Sequence, residues 1–364
     1  MGKLKMGAEA LYNPSSASTS ANGMTDQGKY TLSYTVGVAE NTNVKYRPTM
    51  EDVHTYVENF AERLDWGYFA IFDGHAGKQA AKWCGQHLHS IVERKLVVNE
   101  GDDVRNVLNE AFLEADDQMS KSVKGASGCT AAVALLRWEL PDQPSSPTVT
   151  SSNAITSSPT DETTSIQAEE KEEKEDAEEG TTTTSTTKTD KAIEDATTTA
   201  QDEEDTSKQT DSQEIDLSKY KRMLYTANVG DTRIVLSRDG RAIRLTYDHK
   251  ASDTNEARRV ERAGGVVMKA RVNGMLAVTR SLGDQYFKEL VIGSPYTTAV
   301  ELDMNRDKFL IIACDGLWDV VSDQQACDLV KGFTDATQAA KALVDHALGK
   351  LTTDNVTVMV IYFR

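Results

Sequence analysis

Carboxylates stand repeatedly where an apolar run of this 364-residue chain stops. Asp73 follows Phe69-Ala70-Ile71-Phe72 and precedes Gly74-His75. Asp315 follows Leu310-Ile311-Ile312-Ala313-Cys314 and precedes Gly316, with Asp319 four residues on. Asp231 follows Asn228-Val229-Gly230, Asp354-Asn355 precedes the final apolar run, and Glu51-Asp52 comes shortly after Tyr46-Arg47. Strand ends are rigid, so carboxylates placed there converge with little entropy still to lose. Adjacent glycine lets a backbone carbonyl approach a ligand closely. All-oxygen ligation of this kind suits Mg²⁺ or Mn²⁺, whereas zinc calls for His or Cys. A lone Asp-Gly is more often turn punctuation, and Asp239-Gly240 between strand-like runs reads as only that. The chemistry rests on the set.

The elements that must position these groups alternate strand and helix signals. Tyr68 to Phe72 and Phe309 to Ala313 are short apolar runs ending in Asp-Gly. Thr130 to Leu136, Met223 to Val229 and Val356 to Phe363 also read as strands. Ala80, Cys84, Leu88 and Ile91 recur at helical spacing, as do Val104, Leu108, Phe112, Ala115 and Met119. Asp253-x-x-Glu256 opens a short helix that stops at Gly264-Gly265, and Ser322-x-x-Gln325 has the form of a capping box. Pattern alone says α+β with several antiparallel pairings.

The net charge of −17 belongs to one segment. Positions 141–218 hold 21 Asp and Glu against 5 Lys, a net of −16, which leaves 36 acids and 35 bases elsewhere. That stretch is rich in Thr and Ser, lacks aromatic residues, and cannot bury enough apolar surface to offset chain entropy. It reads as a disordered insertion replacing a hairpin turn, a length that loop-closure entropy tolerates. The expected organisation is a flexible tail over 1–28, one domain over 29–140 and 219–364, and the insertion at 141–218. Ser146-Pro147 and Ser158-Pro159 offer sites for proline-directed phosphorylation, so a docking arm is the alternative to a solvated loop. No nucleic-acid footprint and no membrane-spanning run is visible. The N-terminus shows neither a signal-peptide layout nor, with Met6, a myristoylation pattern. The four cysteines are widely spaced, without Cys-x-x-Cys, which predicts neither disulfides nor structural zinc. A cytoplasmic or nuclear protein is expected.

Seven motifs carry a resemblance. Arg47-Pro48-Thr49-Met50-Glu51-Asp52, Asp73-Gly74-His75-Ala76-Gly77 and Gly128-Cys129-Thr130-Ala131 come first. Ala227-Asn228-Val229-Gly230-Asp231-Thr232-Arg233 and Leu276-Ala277-Val278-Thr279-Arg280-Ser281-Leu282-Gly283-Asp284 follow. Cys314-Asp315-Gly316-Leu317-Trp318-Asp319-Val320 and Thr353-Asp354-Asn355-Val356-Thr357 complete the order. The chain resembles type 2C protein serine/threonine phosphatases from about residue 30 onward, the insertion apart, and among them the small fungal members that dampen stress-activated MAP kinase cascades.

The resemblance implies an αββα sandwich of two antiparallel sheets flanked by helices, with two Mg²⁺ or Mn²⁺ ions at one end and a weaker third. It implies that Asp73 bridges both metals, joined by the Gly74 carbonyl. Glu51 serves one metal, and Asp315 and Asp354 the other. Asp52 holds metal-bound waters, and Asp231 and Asp319 ligate the third ion. Arg47 binds the phosphate and His75 is the general acid, roles that a bidentate guanidinium and a near-neutral imidazole can fill. The implied partners are phosphorylated proteins, kinases among them, met by a monomer. Ser252 to Met275 corresponds to the family's variable flap, where Arg258, Arg259 and Arg262 read as a solvated helical face, with substrate contact the alternative. Ala251 replaces the family's usual Pro. No Cys is followed six positions later by Arg, and no Gly-x-x-x-x-Gly-Lys-Ser/Thr loop occurs, which excludes cysteine phosphatases and P-loop nucleotidases. The competing reading is a pseudophosphatase acting as a scaffold, against which stands the presence of Glu51, Asp73, Asp315 and Asp354 together.

Overall fold

The computed structural model describes residues 31–140 and 219–364, with the backbone of 4–6. The acidic segment 141–218 and the rest of the N-terminal tail lie outside the described residues. One sheet has six strands in the spatial order β1 (Leu4–Met6), β3 (Val53–Glu58), β4 (Gly67–Phe72), β7 (Ala131–Glu139), β8 (Lys221–Val229) and β14 (Tyr296–Glu301). A second has five, in the order β10 (Arg241–Arg244), β9 (Arg233–Arg238), β15 (Asp307–Ala313), β16 (Val356–Phe363) and β2 (Tyr34–Asn41). Every neighbouring pair in both sheets is antiparallel. Where a loose tail was expected, Leu4–Met6 pairs with β3; an open strand edge offers unpaired backbone groups that recruit such a segment.

Strand alternation divides each sheet between two cores. Phe69, Ile71, Leu136 and Leu224 of the first sheet meet Leu236, Leu310, Ile312 and Ile361 of the second. Their chain neighbours Tyr68, Phe72, Val133 and Leu135 face Cys84 and Leu88 of α1 (Gln79–Val98) and Leu108 and Phe112 of α2 (Val104–Ser122). On the other side Phe309, Ile311, Val358 and Val360 cover Val330 of α5 (Asp323–Val330) and Leu343 of α6 (Ala336–Gly349). Strands buried on both faces explain the uninterrupted apolar runs in the sequence. Four layers result: helix, sheet, sheet, helix.

Local chemistry fixes the boundaries. Asp239 and Gly240, at φ 52° and 74°, make the two-residue turn that opposes Arg238 to Arg241, the geometry a twisted hairpin favours. Asp253 caps α3 (Thr254–Arg262) by accepting from the Asn255 and Glu256 amides, and Ser322 and Gln325 form a capping box on α5. β7 and β8 pair from Ala131–Val229 to Glu139–Lys221, so the strands flanking positions 141–218 are hydrogen-bonded neighbours. Smaller elements include a three-stranded ribbon of β5 (Gly74–His75), β6 (Gly128–Cys129) and β13 (Leu282–Gly283), the hairpin β11 (Val267–Met268) with β12 (Arg271–Val272), and α4 (Asp315–Trp318).

Candidate active site

The antiparallel registers bring the critical strand ends to one end of the sandwich. Ala313, the last residue of β15, lies opposite Val358 of β16 and Arg233 of β9, while Ala131, the first of β7, lies opposite Val229. Asp315 therefore opens α4 beside Asp354, which precedes β16, and Asp231 follows β8 next to the start of β7. Asp73 joins β4 to β5 and is fixed by its carbonyl, which accepts the Thr130 amide at 2.9 Å. A side chain at Gly74 would place its Cβ 2.5 Å from the Glu51 carbonyl, so only glycine allows the two backbones to meet. The same holds at Gly316, where a Cβ would fall 1.9 Å from the Asn355 carbonyl.

These carboxylates oppose one another. Burial, then Asp315, Asp52, Asp231 and Asp354, push the Asp73 carboxyl well above its usual range. Burial, then Asp231, Asp319, Asp354 and Asp52, do the same to Asp315. Asp52, which accepts from Thr357 Oγ1 at 2.7 Å, is pushed up to about 6, chiefly by burial. Such an arrangement is stable when a cation offsets it. Ligand atoms of Asp52, Asp73 and Cys314 all lie within 4.8 Å of one another. Cys314 donates to the Asn355 carbonyl, and burial with Asp52, Asp73 and Asp315 raises its thiol. The donor set is thus one of hard oxygens, which fits Mg²⁺ or Mn²⁺.

Glu51 closes the opposite flank. Its amide donates to Asn355 Oδ1 at 2.9 Å, and its carboxylate accepts from Thr49 Oγ1 and the Gly77 amide, both at 3.3 Å. Asn355 also donates to the carbonyls of Thr42 and Thr49, stitching the 42–51 loop to β16. That loop carries Arg47, whose guanidinium is ion-paired with Asp354. His75 Nε2 sits 2.7 Å from Asp284 Oδ2, and Asp284, 2 % exposed, also accepts from Ser281 Oγ. Lys250 Nζ lies 2.9 Å from Asp319 Oδ1 and 3.4 Å from Asp231 Oδ2. Glu51, Asp52, Asp73, His75, Asp231, Asp315, Asp319, Asp354 and Arg47 therefore lie at this end of the molecule. Asn355, Asp284 and Lys250 were missed as site residues, since their partners are distant in sequence and only motif membership marked the first two.

The flap differs from expectation. Arg259 is not on a solvated face: it donates to Glu256, to the Leu290 carbonyl at 2.9 Å and to the Thr279 carbonyl at 2.7 Å. Arg280 and Thr279 bind the same Glu256 carboxylate, and the Arg280 pair is as short as 2.6 Å. Burial would raise Glu256, but these donors hold it down at about 2. Helical spacing placed Arg259 with Arg258 and Arg262 on the outer face, because it does not show that Glu256 turns inward and draws Arg259 with it. Arg258 and Arg262 are exposed, as expected of a solvated face. Ala251 donates its amide to the Ala277 carbonyl at 2.7 Å, a bond proline could not make. The cysteines are free thiols, although Cys84 and Cys129, 45 residues apart, meet at 3.6 Å between sulfurs. His249 is buried, donates its amide to the Gly230 carbonyl, and is held down to about 3, mainly by burial; its role is structural.

Two antiparallel sheets between helical layers, closed at one end by carboxylates with an arginine and a histidine beside them, form the framework of metal-dependent protein phosphatases. The protein phosphatase 2C family matches residues 36–139 and 149–356. Protein phosphatase 2C homolog 1 of Saccharomyces cerevisiae is 52% identical over 333 residues, covering 92% of this chain and 95% of that protein. The Schizosaccharomyces pombe protein phosphatase 2C homolog 1 is 38% identical over 327 residues, with 89% and 72% covered. A phosphatase structure from Toxoplasma gondii shares the fold at a TM-score of 0.61 and 19% identity, covering 91% of this chain and 93% of that one. A Caenorhabditis elegans sex-determining protein shares it at 0.64 and 20%, covering 92% and 66%. The chain belongs to the protein phosphatase 2C family, and it is a metal-dependent protein serine/threonine phosphatase.

Proposed function

We propose that the chain hydrolyses phosphoserine and phosphothreonine by direct attack of water, using two divalent cations, Mg²⁺ or Mn²⁺, held by Glu51, the Gly74 carbonyl, Asp73, Asp315 and Asp354. The carrying observation is the set of converging strand-end carboxylates whose members raise one another's proton affinity. When bound, the cations supply an activated water and offset charge on the phosphoryl oxygens. Asp73, central to the set, would touch both ions, and Asp52, tied to Thr357, would orient solvent at them. Asp231 and Asp319 form the corner for a weaker third ion.

Arg47 is paired with Asp354 and 47 % exposed, so it can exchange that carboxylate for the phosphate and grip two oxygens bidentately. Asp284 engages Nε2 of His75, which leaves Nδ1 as the ring atom that delivers a proton to the departing seryl or threonyl oxygen. No covalent enzyme intermediate is required. Mn²⁺-dependent release of phosphate from a phosphothreonine peptide tests the scheme; activity that persists without divalent ions, or in Asp73→Asn, overturns it.

For the biological setting we propose negative regulation of kinase signalling, such as a MAP kinase cascade, by a monomer in cytoplasm or nucleus. Its support is the resemblance of the seven motifs to those of small fungal type 2C phosphatases. The folded region is proposed as one catalytic domain, with positions 141–218 as a solvated insertion. Capture of cellular phosphoproteins on an Asp73 variant is expected to recover kinases, and a catch without them would remove this setting.

A further inference from the structure

Lys250 stands at the root of the flap. It forms an isolated antiparallel bridge with Val278, and its neighbour Ala251 is bonded to Ala277. From there its ammonium reaches back to the carboxylate end, 2.9 Å from Asp319 and 3.4 Å from Asp231. Asp231 is only 5 % exposed and has the like charges of Asp248 and Asp319 near it, so burial leaves it dependent on a positive neighbour. Lys250 is that neighbour.

We propose that Lys250 is the resident counter-cation of the Asp231–Asp319 pair, and that a third divalent ion binds there only by displacing its ammonium. The inference rests on the two-metal reading above and adds a competitor to it. A compact ammonium and a hard divalent cation seek the same carboxylate oxygens. Held together they repel, because two cations a few ångström apart on a corner with one buried carboxylate interact by more than they would in bulk water. The third ion's affinity is therefore lowered by the loss of two ion pairs, one of them to a buried carboxylate. Displacement also frees the side chain that anchors the start of the flap, so occupancy of this corner is linked to how firmly the flap is held.

The test is calorimetric titration of Mn²⁺ into the full chain and into Lys250→Met, Lys250→Arg and the double variant Lys250→Met/Asp319→Asn. Lys250→Met is expected to tighten the weak class of sites, or to reveal one, by at least about ten-fold, with the tight class unchanged. Lys250→Arg keeps the weak class weak, and the double variant loses the gain. A weak class in Lys250→Met equal to or weaker than that of the parent chain overturns the proposal. Thermal melts in chelator check that each variant is folded, and Lys250→Met is expected to melt lower than the parent there, with a larger rise on adding Mn²⁺. Asp73→Asn, titrated in parallel, reports on the tight class, so failure of the two-metal reading is scored apart from failure of this one.

Discussion

Two groups of carboxylates have opposite fates. At the sandwich end, Asp73 and Asp315 are pushed up by burial and by other carboxylates. In the flap, Glu256 is 4 % exposed yet is held at about 2, because Arg280, Thr279 and Arg259 all donate to it. Where the chain supplies its own cations, acid groups become fasteners. Where it withholds them, the site must be completed from solution. Lys250 lies between the two, supplying one internal charge to the site's outer corner.

The contrast is broken most severely at Asp73. Asp73→Asn is expected to lower phosphatase turnover by at least about 10⁴-fold, since metal activation is worth several kcal/mol. Metal-free thermal stability should stay level or rise, because a repelled charge is gone. The flap should answer in reverse: Glu256→Gln takes the counter-charge from the half-buried Arg259 and Arg280 and is expected to cost about 3 kcal/mol of stability in urea titration. A smaller effect is expected from Asp284→Asn, with kcat falling by about 10–100-fold while KM and metal affinity hold, as suits a residue that orients a proton donor. Loss of tight metal binding in that variant would contradict the role given to it.

Acid titration sharpens the comparison further. Asp52, with a folded-state value of about 6, takes up a proton as pH falls through that point, so protons compete with metal there. The Mn²⁺-induced rise in melting temperature is therefore expected to be smaller at pH 5 than at pH 7.5. Glu256 is depressed, so its stabilisation is complete above the usual carboxylate range and disappears only as pH falls through about 2. A melting shift that is flat across pH 5 to 7.5 would dissociate these carboxylates from the metal. The least effect is expected at Arg262, which is exposed: Arg262→Ala should change stability by less than about 0.5 kcal/mol.

Much of this was legible in the sequence. The apolar runs ending at Phe72, Ala313 and Val229 are strands, the Asp239-Gly240 turn is a hairpin, and the strand-end carboxylates do converge. Which face of each strand met which layer was hidden, because a strand buried on both sides has no polar alternation to read. The polar clamps were hidden for another reason. His75 and Asp284 are 209 residues apart, and the Glu51 amide and Asn355 are 304 apart. Pairings of that kind depend on strand order, which no local pattern encodes. Arg259 shows the same limit within one helix: periodicity put it on the solvated face, and only the inward turn of Glu256 explains its place.

The β7–β8 pair has a practical consequence. Its strands run for nine residues from Ala131–Val229, at the carboxylate end, to Glu139–Lys221 at the other. At roughly 3.4 Å per residue, the far end lies about 27 Å from the near one. The junction after Leu140, itself 49 % exposed, is thus a port for engineering. A fluorescent reporter grafted there, or new termini cut there by circular permutation, should leave metal chemistry intact while reporting on whatever the chain meets.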